Sequence, residues 1–280
     1  MPLALRASSN TGAFALQTTL TITKPVGLTA GDLMIAQIHT CAASAITPPS
    51  GWTLGEEAAR GGSGFMCYYW KTATAGDVAA ANFAFGVSNA EHTAGGILAF
   101  YNTDVGSSAL IHTDTWGIDG TAPTVTPVAN CIFVFLVGSF ETVSMSGYAM
   151  ATSNPAWTEL YDFNTTAGND FQMSAAYSAV RPQSTATGAF TVTSSGGSND
   201  AVIVIAVAPL TNATGTTALL EDGEETVFAP TASAGTRGTA VLLEDSEETV
   251  PAPTARATHP TQWTNPDKPG ASSWSNPDKP

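Results

Sequence analysis

Charge is scarce in this 280-residue chain. Only 11% of its residues are Asp, Glu, Lys or Arg, well below the roughly 25% of an ordinary soluble domain. Positive charge is scarcest: nine Lys and Arg stand against 23 Asp and Glu, for a formal net charge of −14. Phosphate contacts need cationic side chains, so this balance argues against a nucleic-acid partner. Long hydrophobic runs are missing as well. Nothing approaches the ~20 apolar residues of a membrane span, and no membrane partner is expected. The opening MPLALRASSN lacks the charged start and long apolar middle of a secretory leader, so export by a standard signal is not expected. Cysteine is limited to Cys41, Cys67 and Cys131, scattered and odd in number, which reads as buried free thiols rather than a disulfide or metal framework. The four histidines, His39, His92, His112 and His259, have no metal-ligand spacing. No metal and no cofactor is expected.

What fills the chain instead is apolar, small and turn-forming: 43% hydrophobic residues, 26 Gly and 17 Pro. From Leu3 to Leu210 the periodicity is that of strands. TLTITK (19–24) alternates, DLMIAQIHT (32–40) is a buried run, and FMCYYWKTAT (65–74) carries aromatics at strand spacing. ANFAFGV, GGILAFYN, NCIFVFLVGSF, DFQMSAAYSAV, GAFTVTS and AVIVIAVAP continue the series, separated by Gly, Pro, Asn and Ser. No sustained helical stripe occurs. The pattern predicts an all-β fold, a jelly-roll-like antiparallel β-sandwich. It also predicts an internal duplication, with pseudo-repeats at 31–104 and 130–209. In both, a buried strand is followed by a turn with tryptophan, an aromatic strand, a Phe-bearing strand and a second buried strand. Trp52 answers Trp157, Tyr69 answers Tyr177 and Phe85 answers Phe190, at an offset of about one hundred residues. Each unit has an apolar face it cannot bury alone, so the two are expected to pack as halves of one sandwich, making residues 1–210 a single domain.

After Pro209 the grammar changes. Residues 211–280 open with a polar linker and then repeat themselves. LLEDGEETVFAPTA returns as LLEDSEETVPAPTA, and WTNPDKP returns as WSNPDKP. Repeats this short and Pro-rich build no core, so this arm is expected to run extended and to take any order from what it binds. In LLED-x-EETV, Leu219, Leu220 and Val227, and again Leu242, Leu243 and Val250, frame a polar turn. Such a segment suits strand addition to a sheet edge. In W-x-N-P-D-K-P the Asn-Pro step starts a turn and the last proline keeps the chain extended. Trp263 and Trp274 are then the large groups free to enter a pocket, with Asn265, Lys268, Asn276 and Lys279 beside them. Two copies of each block imply two equivalent receptors.

The stretches KPVGLTAGDLMIAQI (Lys24 to Ile38), ITPPSGWTLG (Ile46 to Gly55), YYWKTATAGD (Tyr68 to Asp77) and GGILAFYNTD (Gly95 to Asp104) resemble a family of tailed-bacteriophage structural proteins, virion or minor tail proteins. The second-half echoes PAWTELYD and AVIVIAVAP extend the resemblance across 19–209. Short Trp-Asn-Lys repeats look like those appended to phage tail-region proteins. The resemblance implies a structural component of a virion, placed in the tail region. Its expected partners are other virion proteins, tail or capsid subunits, with copies of itself forming a homo-oligomer in the assembly, and the arm pinning it to its neighbours. The alternatives are a capsid decoration protein, or a receptor-recognition module binding a host-surface glycan.

Candidate chemistry is thin. Glu56 and Glu57 near Trp52 are the carboxylates to weigh for glycan hydrolysis, but that reaction needs two facing across one bond, and neighbours in a strand point to opposite faces. GGSGF and SSGGSND lack the strand-to-helix setting of a nucleophile elbow. His112 and Asp114, two apart, read as a surface pair, and HTDTWGIDGT falls short of a calcium loop in ligand number. Trp116 interrupts that polar stretch, where an exposed ring would stack on a sugar or plug the sandwich end. No catalytic residue, and hence no enzyme, is expected.

Overall fold

The computed structural model describes residues 2–42, 44–59, 64–104, 110–118, 120–166, 170–196 and 199–210. Strands dominate them, every strand pair is antiparallel, and one five-residue helix, α1 (Ala75–Ala79), interrupts the series. The first unit holds β1 (Ala4–Asn10), β2 (Ala15–Thr23), β3 (Leu33–Thr40), β4 (Ile46–Thr47), β5 (Thr53–Ala59), β6 (Phe65–Thr72) and β7 (Asn82–Tyr101). The second holds β8 (Leu110–Ile118), β9 (Thr121–Ala122), β10 (Ile132–Ser139), β11 (Met145–Met150), β12 (Trp157–Thr165), β13 (Phe171–Ser178), β14 (Phe190–Ser194) and β15 (Asn199–Val207).

The two units share one topology. The first unit's large sheet runs β1-β7-β3-β6-β5, and the second's runs β8-β15-β10-β13-β12. Each adds a small sheet, β2-β7-β4 in the first and β9-β14-β11 in the second. The 20-residue β7 does in one strand what β14 and β15 do in two. Its first half pairs with β2 and β4, its second with β1 and β3. The expected all-β sandwich with internal duplication is therefore present, and the repeat is longer than its sequence echo: β1 and β2 correspond to β8 and β9. Equivalent backbones make equivalent demands. Gly31, just before β3, has φ 94°, and the same position before β10 is filled by Asn130 at φ 60°, Asn being among the few residues with a side chain that tolerate that region.

The packing differs from the halves-of-one-sandwich expectation. Each unit closes its own sandwich, and the two large sheets then pack back to back. One core lies inside the first unit, around Leu20, Met34, Ile38, Trp52, Phe83 and Phe85. A second lies inside the other, around Phe133, Phe135, Met145, Tyr148, Phe190 and Val204. The third joins the units: Leu33, Ile35, Tyr68, Leu98 and Phe100 meet Ile132, Val134, Leu136, Phe171, Met173 and Ile203. A large sheet covered on both faces buries every position of its central strands, as in β3 and β10, so these strands are mostly apolar and the polar side chains β3 does carry need partners inside. β7 records the change along one strand. Phe83, Phe85 and Val87 alternate with more exposed residues, whereas Ala94–Phe100 is continuously buried.

Register corrects one proposed equivalence. Tyr69 pairs with Ala36 and Ala176 pairs with Phe135, and both belong to the cores inside the units. Tyr177 lies one residue further on and packs, like Trp70, on the core between them. A shift of one residue in a strand changes the face, so Tyr177 answers Trp70 and Ala176 answers Tyr69. Trp52 and Trp157 do correspond: each directly precedes or opens the strand after its turn, two residues before a residue paired to β6 or β13 at a bulge, at Leu54/Glu56 and at Glu159/Tyr161. Trp52 is buried against Phe83 and Phe85. Trp157 is half-buried against Phe135 and donates from Nε1 to Asn154 Oδ1 (2.8 Å).

The tetrapeptide Thr-Ala-Gly-Asp occurs at 29–32 and again at 74–77, and both copies form the same device. In each, an Asp Oδ2 accepts the Thr backbone N–H at 2.8 Å. Asp32 is clasped by Arg6 through Nε (2.5 Å) and Nη2 (2.9 Å). Asp77 meets Lys71 Nζ at 2.7 Å and completes a capping box with Thr74 at the start of α1. Burial pushes the Asp77 carboxyl upward, but the hydrogen bonds from Lys71 and Thr74 outweigh it and hold it below its usual range.

Three polar side chains cross the layer between the units. Gln37 of β3 donates from Nε2 to the Val137 carbonyl (2.9 Å), and its Oε1 accepts the Tyr161 hydroxyl (2.8 Å). His39 Nδ1 meets the Gln172 carbonyl at 3.1 Å, which makes Nδ1 the protonated nitrogen. Phe14, Phe140 and Phe171 enclose the ring at centroid distances of 5.4–5.7 Å. Glycine makes room for both rings. A Cβ on Gly138 would sit 3.0 Å from the His39 ring, and one on Gly96 would sit 2.5 Å from the Tyr161 hydroxyl. In an otherwise apolar interface, directional bonds of this kind fix one register of sheet on sheet.

Candidate functional site

Few side chains in the described domain are placed for chemistry on a ligand. Glu56 and Glu57 lie on β5, paired with Tyr68 and Cys67 rather than facing each other across a cleft. Glu159 and Asp162 on β12 are the other carboxylates brought near one another. Burial, with Asp162 adding to it, pushes the Glu159 carboxyl up. Both oxygens of Asp162 are engaged, however: Oδ1 accepts from Gln172 Nε2 (2.7 Å) and Oδ2 from the Met145 N–H (2.8 Å). Together with Asn154 Oδ1, which takes the Met150 N–H (3.0 Å), Asp162 seals the open edge of β11 instead of presenting an acid to a substrate. Among the described residues no group of three or more His, Cys, Asp or Glu is arranged to hold a metal ion.

The cysteines are free and buried. Burial pushes the Cys131 thiol to about 11, against the opposing pull of Arg181, so it stays protonated and unreactive. Arg181 is itself buried, with Nη1 donating to the carbonyls of Gln183 (2.8 Å) and Thr185 (3.0 Å) and Nη2 to Thr185 Oγ1 (3.1 Å). It shapes the loop after β13 from within.

Residues 112–118 (HTDTWGI) belong to a strand where a polar loop was expected. Trp116 belongs to β8, an edge strand of the second large sheet, and its backbone pairs with Ala201, while His112 and Asp114 pair with Ile205 and Ile203. Their side chains, and Asp119, lie outside the described residues. So do all twelve arm positions: Leu219, Leu220, Val227, Leu242, Leu243, Val250, Trp263, Asn265, Lys268, Trp274, Asn276 and Lys279.

The feature that sequence reasoning missed lies where the arm begins. A groove of about 490 Å³ is lined by Pro2 and Leu3, by Asn102 after β7, by Val128, Ala129 and Asn130 before β10, by Val180 after β13, and by Pro209 and Leu210 after β15. Five separate chain segments converge there because strands of both large sheets begin or end at that end of the molecule. Val128 is 47% exposed, Val180 39% and Leu210 37%, half of the six exposed large hydrophobic residues of the described domain. Scattered exposed valines and leucines are ordinary, whereas three around one concavity mark a contact surface. Asn102, fixed by its bond to the Pro2 carbonyl (2.9 Å), and Asn130 add amide groups to the lining. No sequence signal foretells the groove, since its residues are dispersed from Pro2 to Leu210.

Among the described residues no helix is long and apolar enough to cross a membrane. Comparison of the chain with family models, curated proteins and solved structures finds no match.

Proposed function

We propose that this protein is a non-enzymatic structural component of a tailed-bacteriophage virion, in the tail region, held to neighbouring subunits by residues 211–280. The observation that carries the reading is the meeting of two features at one place. The described residues end at Leu210 on the wall of an exposed apolar groove, and the sequence that follows is built of two duplicated blocks. The inside of the domain fits a scaffold. Among the described residues its polar side chains brace turns, seal an edge or lock the two jelly rolls together, and no acid and base among them converge for turnover. The duplicated sandwich supplies a rigid body, and the arm supplies repeated anchors that gain from high effective concentration in an assembly. Virion proteins are then its partners, and further copies of itself are among them.

Truncation after Leu210 tests the reading. Particles assembled with the shortened chain are expected to carry far less of it than particles with the full chain, as measured by quantitative mass spectrometry of purified virions. Undiminished incorporation would show that the arm is not an anchor.

A further inference from the structure

We infer that the groove formed by Pro2, Leu3, Asn102, Val128–Asn130, Val180 and Leu210 receives a W-x-NPDKP block from a second copy of this chain. The inference rests on the proposed anchoring role of the arm and names its receptor. The groove is apolar with amide groups in its lining, and 490 Å³ is within the range of pockets that bury a small ligand. An indole followed three and six residues on by prolines matches that chemistry: a broad apolar body, one N–H donor for an amide oxygen, and a following chain with restricted freedom to lose.

Charge separates this block from the other candidate in the arm. Residues 1–210 carry 13 Asp and Glu against five Lys and Arg. Each LLED-x-EETV block brings four more carboxylates and no cation, so it would approach a surface of its own sign. Each W-x-NPDKP block carries one Asp and one Lys and is neutral. Chain length places a neighbour's groove within reach, and the single-chain arm of the test below separates it from the same copy. Leu210 is part of the groove wall, so the chain's own Trp263, 53 residues on, would have to close a loop back to its starting point. Coil statistics for 53 residues give about 40 Å, a length that reaches a neighbour. In an assembly, neighbouring grooves are held at high local concentration. The second block, 11 residues further along, doubles the number of anchors each groove meets.

Disulfide trapping between full-length chains tests the inference. The native cysteines are buried, so introduced ones report alone. One variant carries V128C in the groove and the other T264C beside Trp263. Leu16→Cys is the control, because Leu16 is 64% exposed on β2 and pairs with His92, midway along β7 and ten residues before Asn102, outside the groove lining. Mixing V128C with T264C under mild oxidation is expected to give a cross-linked pair with one chain of each kind, at least fivefold above the L16C control. The pair should be lost when Trp263 and Trp274 are both changed to Ala. Val128 is exposed, so V128C should fold, and V180C carries the same test from another wall of the groove. A yield no higher than the control from both groove variants overturns the inference. So does closure within single chains when V128C and T264C share one chain at high dilution. Loss of incorporation on truncation without groove cross-links keeps the anchoring role and discards this receptor. Cross-links with undiminished incorporation of the truncated chain keep the receptor and discard the anchoring role.

Discussion

Changing Trp263 and Trp274 together to Ala is expected to lower incorporation into particles by between about 10- and 100-fold, whereas either change alone lowers it about twofold. Burying one large apolar side chain contributes about 1.5–3 kcal/mol, and each 1.4 kcal/mol is a factor of about ten in binding. A single block must also offset the entropy of ordering its own backbone, so it binds weakly except when tethered at high effective concentration. With two equivalent blocks on one arm, loss of one halves the number of productive encounters but leaves the binding mode intact. Loss of both removes the anchor. The non-additive pattern separates duplicated anchors from a bulk effect of arm length, which would give two equal and additive losses. Label-free quantification of the chain in purified particles, over the wild type, two single variants and the double variant, reads it directly.

Acid is expected to destabilise the domain through His39 by about 3 kcal/mol between pH 6.5 and 4. Burial among Phe14, Phe140 and Phe171 pushes this imidazole down to about 4, and the Gln172 carbonyl only partly opposes the shift. An unfolded chain takes up the proton near 6.5 while the folded chain refuses it until about 4. Over that window the unfolded state binds more protons. The contribution is therefore complete above pH 6.5 and is lost as pH falls toward 4. His39 sits between the two large sheets, so its protonation strains the interface between the jelly rolls before either internal core. Urea midpoints measured from pH 7 to pH 4 should fall more steeply for the wild type than for His39→Leu. Carboxylate titration elsewhere is common to both proteins and cancels in the difference. Parallel curves would mean that His39 is not held neutral by burial.

Legibility followed periodicity. A strand with one solvated face and a strand buried on both faces write different patterns, so β2 and the first half of β7 were readable as alternation, and β3, β10 and β15 as mostly apolar runs unbroken by alternation. Those unbroken runs also held the answer to the packing, because a strand with two apolar faces belongs to a sheet covered on both sides. Halves of a single sandwich would have left one face of each sheet polar. The correspondence of Tyr69 with Tyr177 failed for the same reason: in strands with both faces buried, the pattern no longer distinguishes face from face, and only the pairing partners Ala36 and Val134 settle register. β8 was hidden because His, Thr, Asp and Trp alternate along an edge strand without an apolar stripe. The two Thr-Ala-Gly-Asp turns were not read from the sequence, although the tetrapeptide stands there twice and a Thr three residues before an acidic residue is a known helix-start signal. The groove was not legible at all. Its apolar character comes from Pro2, Val128, Val180 and Leu210, which only the topology brings together.

Imaging of intact particles by electron microscopy, with the chain located by fitting its paired jelly rolls, tests the central claim most directly. The account predicts the double sandwich in repeated copies in the tail region, with continuous density leading from Leu210 of one copy and an indole-sized feature filling the groove between Val128 and Val180 of the next. Particles from which the chain is absent, or in which every groove is empty and no density leaves Leu210 toward a neighbour, would contradict it.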